Sequence, residues 1–148
     1  MHNNPFKEWQ FIILRKKFFH YYKLKISQRP GAGAKLLAAM KAAGVNLLAF
    51  TGFPSRGGAQ VDFVPDNSTK FRRAARKAGL RVSKRKTVFL VRGDDRVGAL
   101  TGILGKLASK KINLVALSAV TAGNGRYGMI FWVKPGDVGR TARLLRAR

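Results

Sequence analysis

The chain states one pattern twice. With an offset of 67 residues and no gap over the best-matched stretch, Asn46 of Gly44-Val45-Asn46-Leu47-Leu48-Ala49-Phe50 falls on Asn113 of Lys111-Ile112-Asn113-Leu114-Val115-Ala116-Leu117. Arg29-Pro30-Gly31-Ala32 falls on Arg96-Val97-Gly98-Ala99, and Ser55-Arg56-Gly57-Gly58 falls on Ala122-Gly123-Asn124-Gly125. A repeat fixes the unit to be explained. Two copies of about 60 to 65 residues form a pseudo-symmetric pair; an array of short units needs more copies. Domains of that size hold small cores, which favours two units packed tightly over beads on a string.

Both copies read alike. Tyr22, Leu24 and Ile26 alternate with Lys23 and Lys25, the period of a strand with one buried face, and its counterpart is Thr87 to Arg92. Leu36, Leu37 and Met40 match Ile103, Leu104 and Leu107 at helical spacing, with Pro30 expected at the first helical position. Leu47 to Thr51 and Ala59 to Val64 form a hairpin, as do Leu114 to Val120 and Arg126 to Val133. A second helix follows in each, capped by Asn67 or Ser68 in one copy and by Asp137 in the other. With a further strand expected only in the first copy, the order is that of a ferredoxin-like βαββαβ unit. The fold class is α+β, two tandem units, the second without an evident last strand.

On these residues the chain resembles the ACT domain. The run Gly93-Asp94-Asp95-Arg96-Val97-Gly98-Ala99-Leu100, then Leu104, Leu107 and Ile112-Asn113-Leu114, is similar to the family's Asp-Arg-Pro-Gly-x-Leu loop, helix and Ile-Asn-Ile strand start. The first copy keeps Arg29-Pro30-Gly31-Ala32 and Val45-Asn46-Leu47, but has Gln28 where the family favours Asp and Gly33 where it favours Leu. The resemblance covers about Lys23 to Arg148. It implies a regulatory module, not an enzyme, that binds an amino acid at an interface between two such domains.

The loop chemistry suits that ligand. A glycine at a strand-to-helix junction permits close backbone approach, and a helix start offers unpaired amides and a positive dipole end to a carboxylate. Candidate ligand residues are therefore Gln28, Arg29, Pro30, Gly31 and Ala32 with Asn46 and Leu47 in the first copy. In the second they are Asp94, Asp95, Arg96, Val97, Gly98 and Ala99 with Asn113 and Leu114. The asparagines are candidates for an ammonium or amide group, and Asp94 and Asp95 for an ammonium. The bland alternative is that the glycines make turns and the asparagines end loops.

Charge is extreme: 30 Lys and Arg against 6 Asp and Glu, a net charge of +24. Such a balance attracts polyanions, non-specific nucleic acid among them. The densest stretch, Lys70 to Lys86, carries Arg72, Arg73, Arg76, Lys77, Lys84 and Arg85 with no acid, while Phe71, Ala74, Ala75 and Ala78 keep helical spacing. It reads either as a polyanion site or as an amphipathic helix with a basic wet face. The rival function is an RNA-binding module, because the RNA recognition motif shares this strand order and Tyr127 to Trp132 partly mimics its stacking strand. Against it, Phe89 is equivalent to Tyr22 and is expected to face the helices.

Other chemistry finds little support. There is no cysteine, which excludes disulfides and thiolate sites. Both histidines, His2 and His20, lie outside the repeats, so no Ser-His-Asp trio, metal site or cofactor is expected. The glycines of Gly31-Ala32-Gly33 miss the dinucleotide and P-loop spacings. No apolar run approaches a membrane span, and a cytoplasmic protein is expected. Residues 1–22 contain no Ala or Gly but many aromatics. They read as a basic, aromatic extension before repeats at 23–86 and 87–148, and an extra strand around Phe11 to Leu14 is one reading of them. Carrying the ungapped alignment through the hairpin places Val61 and Phe63 opposite Gly128 and Ile130 on the helix side. It places Tyr127 and Met129 on the outer face with Val88, Leu90 and Phe131. That apolar face predicts a cover, whether the other repeat, the aromatic leading arm or a second chain, and a homodimer is the favoured expectation.

Overall fold

A computed structural model describes residues 14–147. The chain divides into two compact units, His20–Lys86 and a second that runs from Thr87 and also takes in residues 14–19. The expected extra strand, apart from Leu14, lies outside the described residues.

In the first unit β1 (Leu14–Ile26), α1 (Ala32–Ala42), β2 (Leu47–Ser55), β3 (Gly58–Pro65) and α2 (Ser68–Lys77) follow in order. The sheet is antiparallel in the order β2-β3-β1. Tyr22 and Leu24 of β1 and Val61 and Phe63 of β3 meet Leu36 and Met40 of α1 and Phe71 of α2 in one core. Leu36 and Met40 are four apart, so one helix stripe is buried. The wet face of α2 carries its arginines and lysines; Asn67 caps it, accepting from the Lys70 amide at 2.9 Å. The expected further strand does not form. Leu80 to Arg85 has no regular structure, and it is tied to β1 at Ser83, whose amide donates to the Lys23 carbonyl and whose hydroxyl accepts from the Lys23 amide, both at 2.9 Å.

The second unit repeats the plan with β4 (Lys86–Asp94), α3 (Thr101–Ser109), β5 (Leu114–Thr121), β6 (Arg126–Val133) and α4 (Val138–Leu145), in sheet order β4-β6-β5. Phe89 and Val91 of β4, Ile103 and Leu107 of α3, and Leu145 of α4 share its core with Tyr127, Met129, Phe131 and Val133. Phe89 thus faces the helices as expected, but Tyr127 and Met129 do too, against the expectation. The β2–β3 turn holds two residues, Arg56 and Gly57, whereas Gly123, Asn124 and Gly125 all have positive φ in a turn one residue longer. Because strand side chains alternate, that one residue swaps the faces of the whole third strand. Phe63 therefore corresponds to Phe131, and Asp62 to Ile130. The outer face carries Val88, Ile130 and Trp132, all buried within the single chain.

Two local expectations also fail. Helix α1 starts at Ala32, so Pro30 lies before it. Asp137 precedes α4 without a side-chain cap; its carboxylate accepts from Arg140 Nη2 at 2.7 Å instead.

Candidate functional site

Both glycine loops are the same turn. The Ala32 amide donates to the Arg29 carbonyl at 3.1 Å, and the Ala99 amide to the Arg96 carbonyl at 3.1 Å. Gly31 has φ 86° and ψ −11°, the third-position geometry of a type II turn, and Gly98 has φ 71°. These glycines are there for the backbone, as the bland reading held. A Cβ on Gly98 would also come within 3.3 Å of Thr101 Oγ1. Beyond each turn the helix starts without a side-chain cap, at Gly31 in α1 and Leu100 in α3. Their first amides keep the anion-attracting character of a helix N-terminus.

Around the second turn the polar groups converge. The Asp95 amide donates to the Gly125 carbonyl at 2.8 Å, tying the turn to the β5–β6 hairpin. Asp94 is taken: its carboxylate accepts from Arg126 Nη1 at 2.6 Å. Asp95 is exposed, as are Arg96 and Val97. Beneath them the Tyr127 hydroxyl is buried without a hydrogen-bond partner, on a residue 6% exposed. Burial raises the pKa of this phenol; the Arg96 charge opposes the rise and the Asp94 charge adds to it. Tyr127 escaped the sequence reading because the ungapped alignment put it on the wrong face. Gln28, Arg29 and Pro30 of the first turn are all exposed.

The asparagines do not join these turns. Asn46 and Asn113 are exposed at the starts of β2 and β5, and the Asn46 carbonyl accepts from the Asp66 amide at 3.1 Å. In a strand-helix-strand unit this is the opposite end, separated from the turn by a helix of ~16 Å. Leu47 and Leu114 pack against the two cores.

The basic candidates divide. Arg72, Arg76, Lys84 and Arg85 line a cleft of about 690 Å³ together with Arg81 and Tyr22. Arg73 and Lys77 are exposed but do not line it. Phe89 and Phe131, two aromatics of the strands that mimic an RNA recognition motif, are not a stacking platform: they are stacked on each other in the core at 5.1 Å and have almost no exposure.

A second charged group lies on the outer face of the first sheet. Asp62 is 4% exposed and accepts from Gln60 Nε2 at 3.0 Å. Burial raises its pKa, against the pull of Gln60, Lys23 and Lys86. Burial lowers that of Lys86, helped by Lys23. Among the described residues no group of three or more metal-ligating side chains occurs, and no helix is long and apolar enough to cross a membrane.

No protein-family model matches the sequence. No curated protein matches it either. Solved structures match its fold. Protein BT0572 from Bacteroides thetaiotaomicron aligns over 88% of this chain and 88% of its own, with 14% identity and a TM-score of 0.75. The ligand-free regulatory subunit of aspartate kinase from Thermus thermophilus aligns over 90% of this chain and 94% of its own, with 15% identity and a TM-score of 0.60. A putative C-terminal regulatory domain of aspartate kinase from Porphyromonas gingivalis W83 aligns over 89% and 92%, with 16% identity and a TM-score of 0.52. The fold class is thus α+β, two tandem ferredoxin-like units, a fold shared with these structures.

Proposed function

We propose that the chain is a regulatory, non-catalytic protein that binds an amino acid at the turn Asp94–Ala99. The observation that carries this reading is the convergence there of an uncapped helix start, a free Asp95 carboxylate and the unpartnered Tyr127 hydroxyl. The helix amides suit the ligand carboxylate and Asp95 the ammonium. The regulatory roles of the aspartate kinase neighbours add support from the fold. The matching turn Gln28–Ala32 is the weaker half of the pair, because no acid stands there. The proposal keeps a homodimer, in which Asn46 and Asn113, exposed at the far ends of their units, are available to a turn of a second copy. The dimer contact moves from Tyr127 and Met129, which are core residues, to the exposed edge of β5.

A thermal-shift screen of the twenty amino acids tests the reading. A ligand at a hundred times its dissociation constant adds about 2.7 kcal/mol, which raises the melting temperature of a chain this size by roughly 5 to 10 °C. Asp95→Asn and Tyr127→Phe are each expected to shrink the shift while leaving the unliganded protein folded. No stabilisation by any amino acid at millimolar concentration, or full shifts in both variants, overturns it.

A further inference from the structure

The cleft of about 690 Å³ in the first unit lies between α2 and the segment Leu80 to Arg85. Its volume falls in the range of small-molecule sites, roughly 300 to 1,000 Å³. Its rim carries Arg72, Arg76, Arg81, Lys84 and Arg85, and no carboxylate lines it. Among the described residues none of the five is ion-paired; the acids that are paired, Asp94 and Asp137, hold Arg126 and Arg140. Five unneutralised cations around one concavity repel each other and are relieved by a multiply charged anion.

A second observation is independent of charge. Tyr22 lines the same cleft, is 2% exposed, and its hydroxyl is buried with no hydrogen-bond partner. Its ring is fixed by stacking on Phe71, centroids 5.0 Å apart. A buried hydroxyl without a partner is destabilising, so its persistence marks a place where an acceptor is expected. Ala75, Leu80 and Val82 complete an apolar floor. Among the described residues the wall opposite α2 is hydrogen-bonded to β1 at Ser83 rather than along a strand ladder, so it can adjust to what enters.

Apolar floor and cationic rim together fit a ligand with a flat ring at one end and phosphates at the other. We infer that this cleft binds a nucleoside polyphosphate, with the phosphates on the arginine and lysine rim and the base against the Tyr22 side. The inference does not rest on the amino-acid reading, which concerns the other unit. A nucleic-acid backbone fits less well, because Lys70, Arg73 and Lys77, the other exposed cations of α2, do not line the cleft.

Isothermal titration calorimetry of the full chain at physiological salt, with ATP, adenosine, inorganic triphosphate and oligouridylate as probes, tests it. ATP is expected to bind more tightly than adenosine or triphosphate alone. Arg76→Gln with Arg81→Gln is expected to weaken ATP by at least ~10-fold, whereas Lys35→Gln with Lys41→Gln, the same charge loss on α1, leaves it unchanged. Should the arginine pair fail to fold, Tyr22→Phe decides: it keeps the core ring and is expected to weaken ATP by ~3- to 10-fold. Triphosphate binding as tightly as ATP, equal losses in the two charge pairs, wild-type affinity in Tyr22→Phe, or oligouridylate binding that ATP does not displace each overturns the assignment.

Discussion

The two units end their helices in the same way with different residues. After α1 the Val45 amide donates to the Met40 carbonyl and the Gly44 amide to that of Lys41. After α3 the Ile112 amide donates to Leu107 and the Lys111 amide to Ala108. The second helices match: Leu80 to Ala75 around Gly79, and Ala147 to Ala142 around Arg146. Each closing residue is left-handed, Gly44 and Gly79 at φ 69°, Lys111 at 55° and Arg146 at 52°. The Schellman closure is therefore demanded by the fold, which must return the chain to the sheet, and glycine is only its least strained occupant. In the second unit a cation at each helix C-terminus recovers part of the strain through the dipole.

The hairpin turn is the sharper contrast, and it predicts the largest effect. Deleting Gly128, inside β6, moves Met129 and Phe131 one position along the strand and turns them away from the core. Each such loss costs about 2 to 5 kcal/mol, so the second unit is expected to unfold, whereas deleting Asn124 shortens the turn to the length of the first unit's, leaves the strand pairing in place and is expected to cost far less. Urea titration followed by circular dichroism checks this, and equal midpoints in the two deletions would remove strand alternation as the cause.

A smaller exchange tests the helix ends. Gly44→Lys is expected to destabilise by about 1 to 2 kcal/mol and Lys111→Gly to stabilise by up to about 1 kcal/mol, read from the same denaturation midpoints. Changes of the same sign in both would mean that local packing, not backbone handedness, governs these positions.

The smallest effect separates Asp62 from its counterpart Ile130. Because the folded-state pKa of Asp62 is raised, the folded protein holds the proton more tightly than the unfolded chain. The resulting stabilisation is complete below the ordinary pKa of 3.8 and is lost as pH rises through the folded value. Asp62→Asn is expected to flatten that part of the melting temperature against pH curve. A matching slope in wild type and variant would assign the dependence elsewhere.

Much of the fold was legible because the repeat supplied two independent readings of each element. Tyr22 and Phe89, or Met40 and Leu107, agree on the buried face even where one copy alone is ambiguous. The third strand failed for a physical reason. Both of its faces are apolar in the second copy, so alternation could not fix the register, and only the turn length does. The turns at Gly31 and Gly98 were legible from glycine alone. Tyr127 at the second turn, and the cleft built by Tyr22 with Leu80 to Arg85, depend on tertiary placement that no local pattern encodes. Asn46 and Asn113 were grouped with the turns by motif, yet the intervening helix carries them to the far end.

Strand β5, Leu114–Thr121, contains no charged residue, and Val115 and Val120 are 63% and 70% exposed. On a chain of net charge +24 such an edge is guarded from self-pairing by long-range repulsion rather than by local gatekeepers. That protection reaches only about 8 Å at physiological ionic strength. Salt and bound polyanions therefore act on this molecule in a common direction: by screening or neutralising its charge, either one brings two bare strand edges within reach of each other.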